Sequence, residues 1–331
     1  MNSEYGPNSS KNRTGVKSAT WYDNSMRRFG LFVCIIGGLA VSTAVLWSIT
    51  PLSFSFRDVR AFLGSIFFVE STTTSALQDA YRHGRRIRIL IVPGHDSESY
   101  GTEHNGLREA ALTVALGEDI ASLLEADPRF KPILVRTKTG YAPEFLEYFA
   151  NNDANVKTFV AEKKKVMKDL LHSGLLEKEE GVIHNSVPNT VAYRLYLLNM
   201  WANENAVDIV IHIHFNNYPR KTTTKPGRYT GYTIYVPDKQ YSNARPSHDL
   251  ATNIARRLSE VSAPSTHPQE GDVVPDQELI ALGSYNTLDP AGVLVEYGYI
   301  YEPQFAKAKR GETLHTLATL TYAGLLDFFN E

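Results

Sequence analysis

Between residues 87 and 109 the chain reads IRILIVPGHDSESYGTEHNGLRE. An apolar run, Ile87–Val92, stops at Pro93-Gly94-His95. A polar, glycine-containing loop follows, and Glu109 opens a segment with apolar residues at helical spacing. A buried strand that releases a histidine at its carboxyl end, then a helix with a glutamate in its first turn, suits a metal. Zn²⁺ takes imidazole nitrogen and carboxylate oxygen, and a catalytic site leaves one position open for water. Cys34 is the only cysteine, so a disulfide within the chain and a cysteine-based zinc site are both excluded. Any metal must be held by His, Asp and Glu.

At 331 residues the chain can hold one large domain or two small ones, and 43% hydrophobic content is enough for a sizeable core. The formal net charge is -2, with Lys and Arg scattered and no basic stripe interleaved with aromatics. Nothing global therefore points to a nucleic-acid partner or an anionic surface.

Residues 1–25 are rich in Asn, Ser, Lys and Arg and read as a disordered cytoplasmic tail. From Phe29 to Ile49 no charge occurs, which is long enough to cross a hydrocarbon core and predicts a transmembrane helix over 26–50. Arg27 and Arg28 precede it, with Lys11, Arg13 and Lys17 further back. That bias predicts a single-pass signal anchor in the cell membrane, amino terminus cytoplasmic and the remainder extracytoplasmic; Arg57 and Arg60 just behind the span pull the other way. A cleaved signal peptide fits less well, because the leader is long and no small-x-small site ends the run. Residues 51–86 read as a juxtamembrane stalk.

From Ile87 onward strand and helix patterns alternate. Strands are expected at Ile87–Val92, Pro132–Arg136, Asp208–His214, Tyr232–Val236 and Gly292–Glu296. Helices are expected at Leu107–Leu124, Thr190–Asn205, Asp249–Val261 and Thr313–Phe329. The alternation predicts an α/β domain over 87–331, a mostly parallel twisted sheet with helices on both faces. The acidic-aromatic YAPEFLEYFANN and the basic VAEKKKVMKDLL interrupt the rhythm. Residues 139–189 read as a helical insertion, either a solvated excursion or a lid or surface for a regulatory protein.

In open α/β sheets ligands bind beyond the carboxyl ends of the strands. His95, His214 and Glu296 all fall at such ends, and Glu109 can turn back to the same edge from its helix. Singly, each has an ordinary reading: a loop histidine, a residue complementing the helix dipole, a core histidine, an ion-pair partner. Together they are harder to dismiss, since a carboxylate in the VLVE run would be buried, and a buried charge without a partner is costly.

At these residues the chain resembles the zinc-dependent N-acetylmuramoyl-L-alanine amidases of the type 3 family. VPGHD at 92–96, Glu109, IHFN at 213–216 and LVEYG at 294–298 follow that family's PGHGG, Glu, SIHAN and VELGF in order. Arg194, Asn199, Asp208, Gly298 and Pro303 also match. The resemblance covers about 87–138 and 190–331. It implies that His95, Glu109 and His214 bind Zn²⁺ and that Glu296 is the catalytic carboxylate. It further implies hydrolysis of the amide joining N-acetylmuramic acid to L-alanine in peptidoglycan. There are departures. PGHD replaces PGHGG, and His212 stands where the family usually has Ser. With a two-residue strand period His212 faces the same side as His214, as a supporting group or as a ligand in its place. Asp96, Glu98 and His104, in the intervening loop, and His184 are weaker candidates. Two other readings stay open: a zinc hydrolase of another peptide or N-acyl amide, and a metal-free module that binds the cell wall.

Overall fold

The computed structural model describes residues 72–179, 181–182 and 188–331. The expected tail, the span Phe29–Ile49, most of the expected stalk and His184 lie outside the described residues. Among the described residues no helix is long and apolar enough to cross a membrane.

Helix α1 (Thr74–Arg82) precedes strand β1 (Ile87–Pro93). A hairpin of β2 (Glu103–His104) and β3 (Leu107–Arg108) leads into α2 (Glu109–Glu125). Next come β4 (Phe130–Leu134), the short pair β5 (Arg136–Thr137) and β6 (Gly140–Tyr141), and helices α3 (Pro143–Asn151) and α4 (Asp153–His172). The chain continues through α5 (Asn189–Glu204), β7 (Ile209–Asn216), β8 (Thr233–Pro237), α6 (Ala244–Leu258) and β9 (Val273–Asp276). It closes with β10 (Ala291–Tyr299) and α7 (Arg310–Asn330), and 3-10 turns lie at Ile280–Leu282 and Pro303–Phe305.

The main sheet runs β4-β1-β7-β10-β8-β9. β4, β1, β7 and β10 are mutually parallel, whereas β8 is antiparallel to β10, and β9 runs parallel to β8. The expected mostly parallel sheet is present, with its far edge reversed. β1 and β10 are buried along nearly their whole length, which is why they read as continuous apolar runs.

β7 sorts its side chains by parity. Ile209, Ile211, Ile213 and Phe215 enter the large core shared with α2, α6 and α7, while Val210 faces the cluster formed with α3 and α5. His212 and His214 share that second face. Beneath it, Phe145 of α3 is fully buried with its ring 4.7 Å from that of Trp201 in α5.

Several expectations need correction. The strand expected at Pro132–Arg136 ends at Leu134, and Arg136 belongs to the following pair. The helix expected at Asp249–Val261 begins at Ala244, because Pro246 lies in the first turn, where a missing N–H costs nothing. Within the expected stalk, α1 is a core helix: Leu77 and Tyr81 are buried, and the Tyr81 ring stacks on Phe329 at 4.6 Å. Within residues 139–179, α3 supplies part of the core and α4 packs on α5. A solvated excursion does not describe these two helices.

Candidate metal centre

The chain leaves β1 toward β4 on one flank and returns to β7 on the other. A sheet of this kind offers its ligand crevice at that switch, beyond the carboxyl ends of β1 and β7. His95 lies just past β1, and Glu109 is the first residue of α2. His214 is near the end of β7, and Glu296 is its register partner on β10.

His95 sits at φ 63°, in the left-handed region. Histidine enters that region more readily than branched residues do, at a cost on the order of 1 kcal/mol that surrounding contacts must hold. Arg136 holds them. Its Nε donates to the Pro93 carbonyl at 3.1 Å, and its Nη2 donates to the Gly94 carbonyl at 2.6 Å and to Thr113 Oγ1 at 3.0 Å. Thr113 Oγ1 donates to the same Gly94 carbonyl at 2.8 Å. Arg136 is only 5% exposed and clamps the turn that presents His95.

Glu109 Oε2 lies 3.1 Å from His95 Nε2, and Oε1 lies 3.1 Å from His214 Nδ1. The same carboxylate accepts from Thr102 N and Phe215 N, each at 3.1 Å. One ligand atom from each of His95, Glu109 and His214 falls within 4.8 Å of the others. Two imidazole nitrogens and one carboxylate oxygen, converging from three segments, make a donor set suited to a borderline-soft dication.

Burial pushes the Glu109 carboxyl up, but hydrogen bonds from His214 and His95 outweigh it and hold the pKa at about 2. Burial pushes both imidazoles down. At His95 the bond to Glu109 overcomes burial and raises the pKa, whereas at the deeper His214 burial wins. Burial, then repulsion from His214, brings His212 to about 3.

Glu296 is partly exposed as a residue, but its Oε2 is enclosed and has no hydrogen-bond partner among the described residues. Burial, then repulsion from Glu109 and Glu270, raises its carboxyl well above the ordinary carboxylate value. Glu270, which nothing in the sequence marked, is held on the edge beyond Glu296. It accepts from Asn216 Nδ2 at 3.0 Å, from Ser265 Oγ at 2.6 Å and from Tyr299 Oη at 2.9 Å. Directly after Glu296 the strand bulges, and Gly298 at φ 145° supplies the conformation that the bulge requires.

Of the weaker candidates, Asp96 does reach the site. It is buried, pairs with Arg194, and accepts from Tyr141 Oη at 3.1 Å. Glu98 is largely exposed and touches only Arg194, at 3.5 Å. His104 lies in the β2–β3 hairpin, bonded to Asn105 and packed against Tyr301, outside the cluster. His212 is not among the converging donors. Asn199 ties α5 to the carbonyl of Ile280 at 2.8 Å, and Asp208 receives Arg85 through two bonds of 2.9 and 2.8 Å. Both roles are structural.

A Cβ at Gly94 would overlap the His214 ring, reaching Cε1, Nε2 and Nδ1. If the cluster holds a divalent metal, Gly94→Ala is therefore expected to weaken that binding by about tenfold or more, comparable to disturbing a ligand's support, with little change in melting temperature. Competition against a chromophoric chelator reads the first quantity and thermal denaturation the second.

A comparison with curated proteins gives no sequence match. Among solved structures, the N-acetylmuramoyl-L-alanine amidase from Clostridium difficile 630 is similar at 15% identity and TM-score 0.46, covering 74% of this chain and 98% of that one. The CwlD amidase from Clostridioides difficile, solved in complex with the GerS lipoprotein, gives 15%, 0.47, 74% and 99% in the same order. The amidase Ami1 from Mycobacterium smegmatis gives 15%, 0.48, 74% and 97%. Likenesses of this strength carry no argument about chemistry. The family model described as N-acetylmuramoyl-L-alanine amidase, in contrast, matches residues 89–327, from β1 into α7 and across His95, Glu109, His214 and Glu296. The chain belongs to the N-acetylmuramoyl-L-alanine amidase family.

Proposed function

We propose that the protein is a zinc hydrolase of peptidoglycan that cleaves the amide between the lactyl group of N-acetylmuramic acid and L-alanine of the stem peptide. The observation that carries this reading is the convergence of His95, Glu109 and His214 within 4.8 Å, beside a buried and unpartnered Glu296 oxygen. His95, Glu109 and His214 would hold the ion. A bound zinc would lower the pKa of its water and polarise the amide carbonyl.

Glu296 then does the proton work. Its carboxylate, made more basic by burial and by Glu109 and Glu270, takes the proton of the attacking water and passes it to the departing amine. Water and amide yield the lactyl carboxylate and a free alanine amine, and Glu296 ends as it began. Arg194, Asp96 and Tyr141 form one wall of the cleft and hold the loop after His95 in place.

The reading extends to placement. The charge-free run Phe29–Ile49 with Arg27 and Arg28 ahead of it supports a single membrane anchor, residues 1–25 in the cytoplasm and residues 51–86 and the catalytic domain outside, where the substrate lies. The face of α4, with Lys164, Lys165 and Lys168 exposed, is the part of the insertion free to meet a regulatory protein.

Digestion of purified sacculi by the detergent-solubilised full chain, with and without chelator, tests the chemistry. The expected products are stem peptides with a free L-alanine amine, lost on chelation and restored by zinc. Cleavage at another bond, or cleavage indifferent to chelator, would sink the proposal. Protease accessibility of the domain in intact cells checks the placement.

A further inference from the structure

A cavity of about 370 Å³ opens beside the metal centre, between the sheet and α5. Its walls are largely apolar, with Val92, Leu195, Leu198, Ile280 and Leu294 among them. His212 is part of the same lining, is 1% exposed, and has no hydrogen-bond partner among the described residues on either ring nitrogen. The backbone of Ala281 lies close to the ring without forming a hydrogen bond of normal geometry. Buried polar side chains are nearly always satisfied, so an orphaned imidazole in a cavity wall calls for an occupant.

The chemistry of the wall limits what that occupant can be. A neutral imidazole offers one N–H donor and one nitrogen acceptor. Arg194, the cation of this cavity, is already engaged by Asp96. A carboxylate would bring acceptors only and a charge onto apolar walls, which is costly. A carboxamide brings both a donor group, its NH2, and an acceptor, its carbonyl oxygen, and no charge. Sites built to hydrogen-bond a substrate group discriminate strongly against analogues that lack it.

We propose that His212 is a specificity determinant, and that the cavity takes a carboxamide borne by the second residue of the stem peptide, beyond the L-alanine at the scissile bond. The proposal rests on the amidase reading above and goes beyond it. The Ser usual at this position in the family is too short to offer the same pair of bonds, so the preference would be peculiar to chains that carry His here.

The test is calorimetric binding to zinc-loaded full-length protein carrying Glu296→Gln, so that affinity is read without turnover. The probes are N-acetylmuramoyl-L-alanyl-D-isoglutamine and its free-acid counterpart. The carboxamide is expected to bind about tenfold more tightly, the scale of a lost buried hydrogen bond. His212→Leu should erase the preference and His212→Asn, which keeps a donor and an acceptor, should retain it, with zinc content the same in all three. His212→Ser replaces the Leu variant if that one does not fold. Equal affinities, a preference surviving in His212→Leu or Ser, or no binding of either probe would overturn the proposal. Loss of zinc with His212 would also overturn it, by placing the ring at the metal. Sacculus digestion that does not depend on His212 refutes this inference alone, whereas selective binding by a protein that never hydrolyses refutes the amidase reading instead.

Discussion

Glu296→Gln is expected to lower sacculus hydrolysis by about three orders of magnitude, within the range for a lost general acid–base, with zinc content unchanged. The substitution is nearly isosteric, and the position is confined by Thr233 and His214 as register partners on either side. What changes is the ability to take a proton. The sign of the pH dependence follows from the same surroundings. Burial comes first, then Glu109 and Glu270, and together they raise the carboxyl above the ordinary value. The base form is needed, so activity should fall as pH drops, with its midpoint above the ordinary carboxylate range. A bound dication would itself favour the ionised carboxylate and draw that midpoint down. The variant should lack this acid limb. A fully active Glu296→Gln enzyme would mean that the base lies elsewhere.

Glu109→Ala is expected to weaken zinc binding by well over the 10- to 100-fold that losing a ligand's support costs. Glu109 is the only anionic donor of the three, and its two oxygens also receive Thr102 N and Phe215 N. Alanine therefore removes a ligand and leaves the buried Phe215 amide and the part-buried Thr102 amide without acceptors, a further loss of about 1–3 kcal/mol for the buried one. Glu109→Gln separates the two effects, keeping an oxygen for the backbone while removing the charge. Its affinity should fall with a smaller loss of stability. In metal-free protein the Glu109 pKa, about 2, lies below its ordinary value. The stability it contributes is present above that ordinary value and is lost as pH falls toward 2. Zinc retained at the parent's level in Glu109→Ala would remove this residue from the ligand set.

The convergence of the candidate residues is legible in the sequence because parallel strands with both faces covered announce themselves as uninterrupted apolar runs. A polar residue at the end of such a run has few ordinary reasons to be there. His95, His214 and Glu296 were found that way, and Glu109 from its place in a first helical turn. Arg136 was not, since a strand terminus predicts nothing about a guanidinium folding back onto three carbonyls. Glu270 lies in a polar stretch between α6 and β9, where a carboxylate is ordinary until the tertiary fold brings Ser265, Tyr235 and Tyr299 to it. β9, short and containing Pro275, has the composition of a turn and becomes an edge strand only by pairing with β8. The reversed direction of β8 is likewise a property of the connection. α1 was hidden by its polar composition, because its burial rests on two residues, Leu77 and Tyr81.

The docking of α1 bears on where this unit can be cut. Gln78 Nε2 donates to the carbonyl of Phe328 at 2.8 Å, and Thr74 Oγ1 donates to Asp249 at 2.5 Å. Among the described residues the first and last helices are thus fastened to each other, like a clasp. Truncation at Ile87, where the strand pattern starts, would bare the aromatic floor around Phe329 and free the tail of α7. A permuted chain joining the two ends and opening at a distant surface loop would preserve that clasp.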